Sequence, residues 1–205
     1  MERRDAKRRQ ILAAAAALFR ARGFDGTSTD AVAAQARVSK ETLYRHYPSK
    51  EQLLVAAMRE VAVEGLFTGA PMELPDGADQ AALERAMCAL VHAVLDRILT
   101  GDYLALVRLL FAESGRRPAL AQTFRRLVPQ AGAEGVAGIL ASARRQGLLR
   151  ADVDLGVAGR LFVGPLLAWM LMGALADGGD EPPRPTEAEV EATVRLFLRG
   201  VSTQL

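Results

Sequence analysis

The chain has 205 residues, half of them apolar and 24% charged, with a formal net charge of +2. This composition excludes intrinsic disorder and collagen-like repeats, and it can bury one sizeable core or two small ones. One cysteine, Cys88, and two distant histidines, His46 and His92, exclude an intrachain disulfide and a cysteine-rich zinc site, so neither metal nor cofactor is expected. A reducing, cytoplasmic compartment follows, and the charged start MERRDAKRRQ lacks the apolar stretch of a secretory signal.

The small net charge hides an asymmetry. Residues 1–50 hold 11 Lys+Arg against 5 Asp+Glu, whereas residues 51–205 hold 15 against 19. All three lysines, Lys7, Lys40 and Lys50, lie in the first segment. A polyanionic partner and a merely solvated basic helix both fit this charge.

Apolar residues recur at helical spacing and no β-branched alternation persists, so the chain is predicted to be all-α. The first helix is expected over Asp5–Arg22, with Ile11, Leu12, Ala15, Leu18 and Phe19 as its apolar stripe and Gly23 as its terminator. The hydroxyls of Thr27, Ser28 and Thr29 can cap a second, two-turn helix ending near Ala36. Ser39 can cap a third, Lys40 to His46, which Pro48 prevents from continuing. Ser49 and Gln52 have capping-box spacing at the start of the fourth, which carries Leu53, Leu54, Ala57, Met58, Val61 and Leu66 toward the loop TGAPMELPDGAD. Longer amphipathic helices are expected over Gln80–Leu99 and Tyr103–Ser114, and another from Pro118 to Gln146 with a kink near Pro129. Leu155–Ala176 and Thr186–Thr203 complete about nine helices. The longest uncharged run, Leu161 to Ala176, has 16 residues, short of a membrane span.

Two short helices joined by a tight turn within the basic segment match a helix-turn-helix, with the motif at about 29–48. Val38 and Leu43 are inward anchors, leaving Lys40, Glu41, Thr42 and Tyr44 to project into a major groove. Lys50 and Thr29, each in the first turn of a helix, can hold phosphates. The run GFDGTSTDAVAAQARVSKETLYRHYPSKEQLL resembles the N-terminal signature of the TetR family of bacterial transcriptional regulators. The resemblance covers about the first 60 residues, through Phe19, Gly23, Thr29, Ala33, Val38, Ser39, Thr42, Leu43, Tyr44, His46, Pro48, Lys50 and Leu53. It implies that Lys40, Glu41, Thr42 and Tyr44 contact bases or backbone, while Thr29, His46, Tyr47 and Lys50 lie on or beside phosphate contacts; Ser39 joins this DNA-binding set. Tyr44 and Tyr47 are also readable as packing residues, and His46 as a neutral hydrogen-bond donor.

The sequence departs from the family where Arg37 stands at the usual turn glycine. Either the turn takes another geometry, or Arg37 is tolerated there and adds a phosphate contact. Asp30 is a negative charge at the mouth of the interface, where it can instead satisfy amides of the second helix.

The resemblance implies an N-terminal three-helix DNA-binding domain over residues 1–67 and a larger C-terminal effector-binding and dimerisation domain over 68–205. The expected partners are a palindromic double-stranded operator, a small-molecule effector and a second copy of the chain, with no membrane. The last two helices, with Trp169, Met170 and Met172 on one and Val190, Val194, Phe197, Leu198 and Val201 on the other, are the expected dimer elements. An apolar or aromatic effector is expected against Met87, His92, Leu95, Phe111, Phe124, Phe162 and Trp169, oriented by His92, Tyr103 or Arg108. No catalytic residue is assigned, since no histidine sits beside a nucleophile and no phosphate loop is present. A protein that binds lipid through its basic N-terminus is the other alternative, separable by liposome flotation.

Overall fold

The computed structural model describes residues 2–60, 73–118, 122, 135–175 and 184–203. In chain order its helices are α1 (Glu2–Arg22), α2 (Thr29–Gln35), α3 (Lys40–His46), α4 (Lys50–Arg59), α5 (Gln80–Ile98), α6 (Gly101–Ser114), α7 (135–145), α8 (Leu155–Leu175) and α9 (Glu187–Val201). Among the described residues there is no strand, only an isolated antiparallel bridge between Leu149 and Ser202. The fold is all-α, and the predicted helices lie within a few residues of those observed. Most of the expected helix from Pro118 to Gln146, with its kink, lies outside the described residues, as does the expected boundary at 67/68.

The chain forms two compact units, each discontinuous in sequence: Met1–Gly65 with Gly101–Leu127, and Leu66–Thr100 with Val128–Leu205. The first is built on α1, whose Ile11, Leu12, Ala15, Leu18 and Phe19 are buried with Val32 and Ala33 of α2, Leu43 of α3 and Leu53, Leu54 and Ala57 of α4. Leu106 and Leu110 of α6 complete this core. Gly23 ends α1 in the left-handed conformation, φ 69°, its N–H donating to Phe19 O at 2.9 Å. Phe24 then folds back to stack on Phe19, with ring centroids 5.8 Å apart.

In the second unit α5, α7, α8 and α9 bury Met87, Leu90, Ile139, Leu140, Phe162, Val194 and Phe197. Phe162 and Phe197 lie tilted at 4.9 Å between centroids, an arrangement worth more than its buried area alone. Helix α8 is apolar on more than one side: Ala158, Phe162 and Val163 are buried, while Val157, Leu161 and Met172 are exposed. Leu196 of α9 is 69% exposed. No helix among the described residues is long and apolar enough to cross a membrane.

Candidate nucleic-acid interface

Serines define the geometry of the helix-turn-helix. Ser28 Oγ accepts from Ala31 N, Ser39 Oγ from Thr42 N and Ser49 Oγ from Gln52 N, each at 3.1 Å, so α2, α3 and α4 all begin on a serine cap. At the start of α2, the Ala31 amide is thus taken by Ser28 and not by Asp30. Thr27, beside it, is buried and turns the other way, its Oγ1 donating to Gly23 O at 2.7 Å and Leu18 O at 3.1 Å.

The turn between α2 and α3 adopts the left-handed geometry even with Arg37 in it, φ 49°. Val38 N–H reaches Ala33 O at 3.0 Å and Arg37 N–H reaches Ala34 O at 3.1 Å, closing α2 as glycine-terminated helices are closed. Of the two possibilities for Arg37, the alternative geometry is thus not taken. Leu43 is fully buried and fastens α3 to the core. That leaves Ser39, Lys40, Glu41 and Tyr44 on the exposed side and Thr42 partly exposed.

The projecting residues are tied to α2. Tyr44 OH and Thr29 Oγ1 share a hydrogen bond of 2.9 Å, and Lys40 Nζ lies 2.7 Å from Asp30 Oδ1. The hydrogen bond from Lys40 to Asp30, and next the carboxylate's charge, push the ammonium pKa above its ordinary value. Thr42 Oγ1 meets Ser39 Oγ at 2.8 Å and accepts from Arg45 at 3.4 Å. Three separate contacts thus order this polar face: Tyr44 with Thr29, Lys40 with Asp30, and Thr42 with Ser39 and Arg45.

Lys50 donates to Thr27 O at 2.9 Å and sits 4.4 Å from the centroid of the Phe24 ring. Arg117 stacks on the same ring at 4.0 Å, pairs with Asp25 at 3.0 Å and with Glu113, and lies 3.9 Å from Glu51. Sequence reading missed Phe24, Asp25 and Arg117 as supports of this region, because Arg117 is 92 residues from Asp25 and no local spacing joins them. Tyr47 is only 9% exposed and its ring belongs to the core, tilted against His46 at 6.2 Å. His46 is partly exposed.

Of the expected pocket residues, Phe111 belongs to the first unit and Phe124 lies outside the described residues. Met87 and Leu95 are core, and His92 is exposed on α5. Tyr103 is buried in the first unit, where burial pushes its phenol above the ordinary tyrosine range. Phe162 and Trp169 do line a cleft of ≈ 300 Å³ between α8 and α9, with Pro165, Val190, Thr193 and Leu196 among its walls. Among the described residues no group of three or more His, Cys, Asp or Glu could hold a metal ion.

A buried anchor, serine-capped short helices and an exposed polar face on α3 define a helix-turn-helix of the DNA-binding kind. Residues 11–57 match the model of the bacterial regulatory proteins of the tetR family, and residues 85–200 match the C-terminal domain of AefR-like transcriptional repressors. The chain belongs to the TetR family. In structure it is similar to the flavonoid-responsive regulator FrrA, 31% identical, covering 98% of this chain and 100% of that one, with a TM-score of 0.69. In sequence it is 36% identical over 115 residues to the HTH-type transcriptional regulator Mb1581 of Mycobacterium bovis, covering 54% of this chain and 50% of that protein. It is also 36% identical over 95 residues to the HTH-type transcriptional activator FasR of Mycolicibacterium smegmatis, covering 46% of this chain and 42% of that protein. The match spans half or less of the length of these two sequence relatives. The family is one of bacterial transcriptional regulators with a helix-turn-helix at the N-terminal end.

Proposed function

We propose that this protein is a cytoplasmic, ligand-responsive repressor, a homodimer that places two copies of α3 on a palindromic operator and is released by a small apolar or aromatic molecule. The observation that carries the DNA-reading part is the exposed polar face of α3, with Ser39, Lys40, Glu41 and Tyr44, tied to α2 through Tyr44–Thr29 and Lys40–Asp30 and standing on the buried Leu43. In this reading Lys40, Glu41, Thr42 and Tyr44 meet base edges or backbone, while Thr29, Ser39, His46 and Lys50 position the phosphates. Tyr47 acts from within the core, setting the end of α3.

Several observations support the rest. The exposed apolar side chains Val157, Leu161 and Met172 of α8 and Leu196 of α9 suit burial against a second copy. The cleft between these helices is within the range of small-molecule pockets, and its walls are mostly apolar. FrrA, which aligns along the whole chain, responds to flavonoids, which are aromatic. Repression is favoured over activation because the repressor-type C-terminal model spans residues 85–200, whereas FasR matches over only 46% of the chain. Pro165 and Leu196 belong both to the cleft wall and to the exposed apolar face. A ligand there shifts the population of dimer geometries, and with it the spacing of the two α3 helices.

Selection of genomic fragments with the purified protein, followed by salt-dependent binding of the recovered and scrambled duplexes, tests the reading. The expected result is one enriched palindrome bound orders of magnitude more tightly than the scrambled duplex, with Lys40→Ala relaxing its sequence preference. Binding that tracks charge alone, with no sequence enriched, would refute it.

A further inference from the structure

The carboxylate of Asp30 stands on the face that meets DNA, where a negative charge is out of place. Ser28, not Asp30, accepts from the Ala31 amide at the start of α2. The partner of Asp30 is Lys40, across the helix-turn-helix at 2.7 Å, with both side chains more than half exposed. An ammonium has three N–H donors, and a single carboxylate contact leaves two of them available. Two groups on DNA can take those donors, and they differ in charge. A phosphate oxygen is anionic: it must compete with Asp30 for the ammonium, and it repels the carboxylate lying beside it. The guanine edge in the major groove offers O6 and N7, two adjacent acceptors with no formal charge, and it can accept from Lys40 while the ion pair stays closed.

We propose that Asp30 is a specificity-determining positioning residue, which holds Lys40 so that it reads a guanine edge and is withheld from indiscriminate phosphate binding. The inference rests on the DNA-reading assignment of α3 and adds a role for a residue outside that set. In a nonspecific complex the closed pair releases no counterion on Lys40's behalf, so affinity for arbitrary DNA and its salt dependence are both held down. In the specific complex the same pair costs little, because the base edge does not displace Asp30. The basic excess of residues 1–50 is thereby prevented from acting entirely as a charge-driven DNA sponge.

The test is a double-mutant cycle of Asp30→Asn and Lys40→Gln. Each protein is titrated with a random-sequence duplex, and with the duplex that the wild type recovers from genomic fragments, across a range of salt. Asp30→Asn alone is expected to tighten random-duplex binding about fivefold, the scale of one unit-charge contact at a solvated surface. It should also steepen the log–log salt slope by about one, the effect of one more phosphate neutralised. The ratio of specific to random affinity falls accordingly. In the Lys40→Gln background the same change leaves the slope unaltered. Equal slope changes in both backgrounds would overturn the proposal, since Asp30 would then act through its own charge and not through Lys40. An unchanged specificity ratio in Asp30→Asn overturns it too. If the wild type binds neither duplex at low salt, the DNA-reading assignment itself fails, and the proposal with it.

Discussion

Arg37 shows how one side chain can sit against its backbone. Its φ of 49° is the conformation for which glycine carries no Cβ penalty, and a residue with a side chain pays about 1 kcal/mol to hold it. The turn bonds from Val38 and Arg37 to Ala33 and Ala34 keep it there. Arg37→Gly is therefore expected to raise unfolding stability by about 1 kcal/mol in denaturant titration, whereas Arg37→Ala, which keeps a Cβ, gives no such gain. The sequence showed that glycine was missing. It could not show which way the conflict resolved, because that depends on Leu43 and Val32 anchoring both helices to one core. The partner of Asp30 was hidden for a similar reason: local spacing offered the α2 amides, and only the fold brings Lys40 to 2.7 Å.

At the scale of elements, the short helices were legible because their boundaries are written locally. Serine before α2, α3 and α4 and proline after α3 act within a few residues, so α3 is observed at the predicted Lys40–His46. The start of α9 is another local device, a capping box in which Thr186 N–H donates to Glu189 Oε2 at 2.7 Å and Thr186 Oγ1 accepts from Glu189 N–H at 3.3 Å. Thr186→Ala should cost about 1 kcal/mol, read by thermal melting with calorimetric enthalpy. The backbone N–H of Thr186 and then its hydroxyl hold the Glu189 carboxyl below its ordinary value of 4.5. A folded pKa depressed in this way contributes stability that is present above 4.5 and is lost as pH falls through the lower folded value. Glu189→Gln is therefore expected to narrow the difference in Tm between neutral and strongly acidic solution; an unchanged difference would show that the box makes no pH-dependent contribution.

The whole molecule is where sequence reading gave out soonest. Periodicity marks an apolar stripe but not what it packs on, so nothing in α6 announced that Leu106 and Leu110 join the core of α1 and α4. The same limit applies to the expected pocket residues, of which Phe162 and Trp169 line the cleft between α8 and α9. The apolar excess of α8 was readable, and in the structure it stands as exposed Leu161 and Met172, with Leu196 on α9. If a second copy covers that face, light scattering gives twice the 22.0 kDa chain mass. Leu161→Glu combined with Leu196→Glu should then return the mass to a single chain while leaving helix content intact, since neither side chain is in the core. Operator affinity falls with it, because each chain then binds half a site.

The most direct measurement is a hydroxyl-radical footprint of the wild-type protein on the duplex it recovers from genomic fragments. Two protected patches related by a dyad are expected, their major grooves separated by about one helical turn, roughly 34 to 36 Å, or a multiple of it. Protection at the groove faced by each α3 should be lost with Tyr44→Ala and Lys40→Ala together. A single patch without a dyad, or protection indifferent to these substitutions, would contradict the account of α3 as the reading helix of a two-fold repressor.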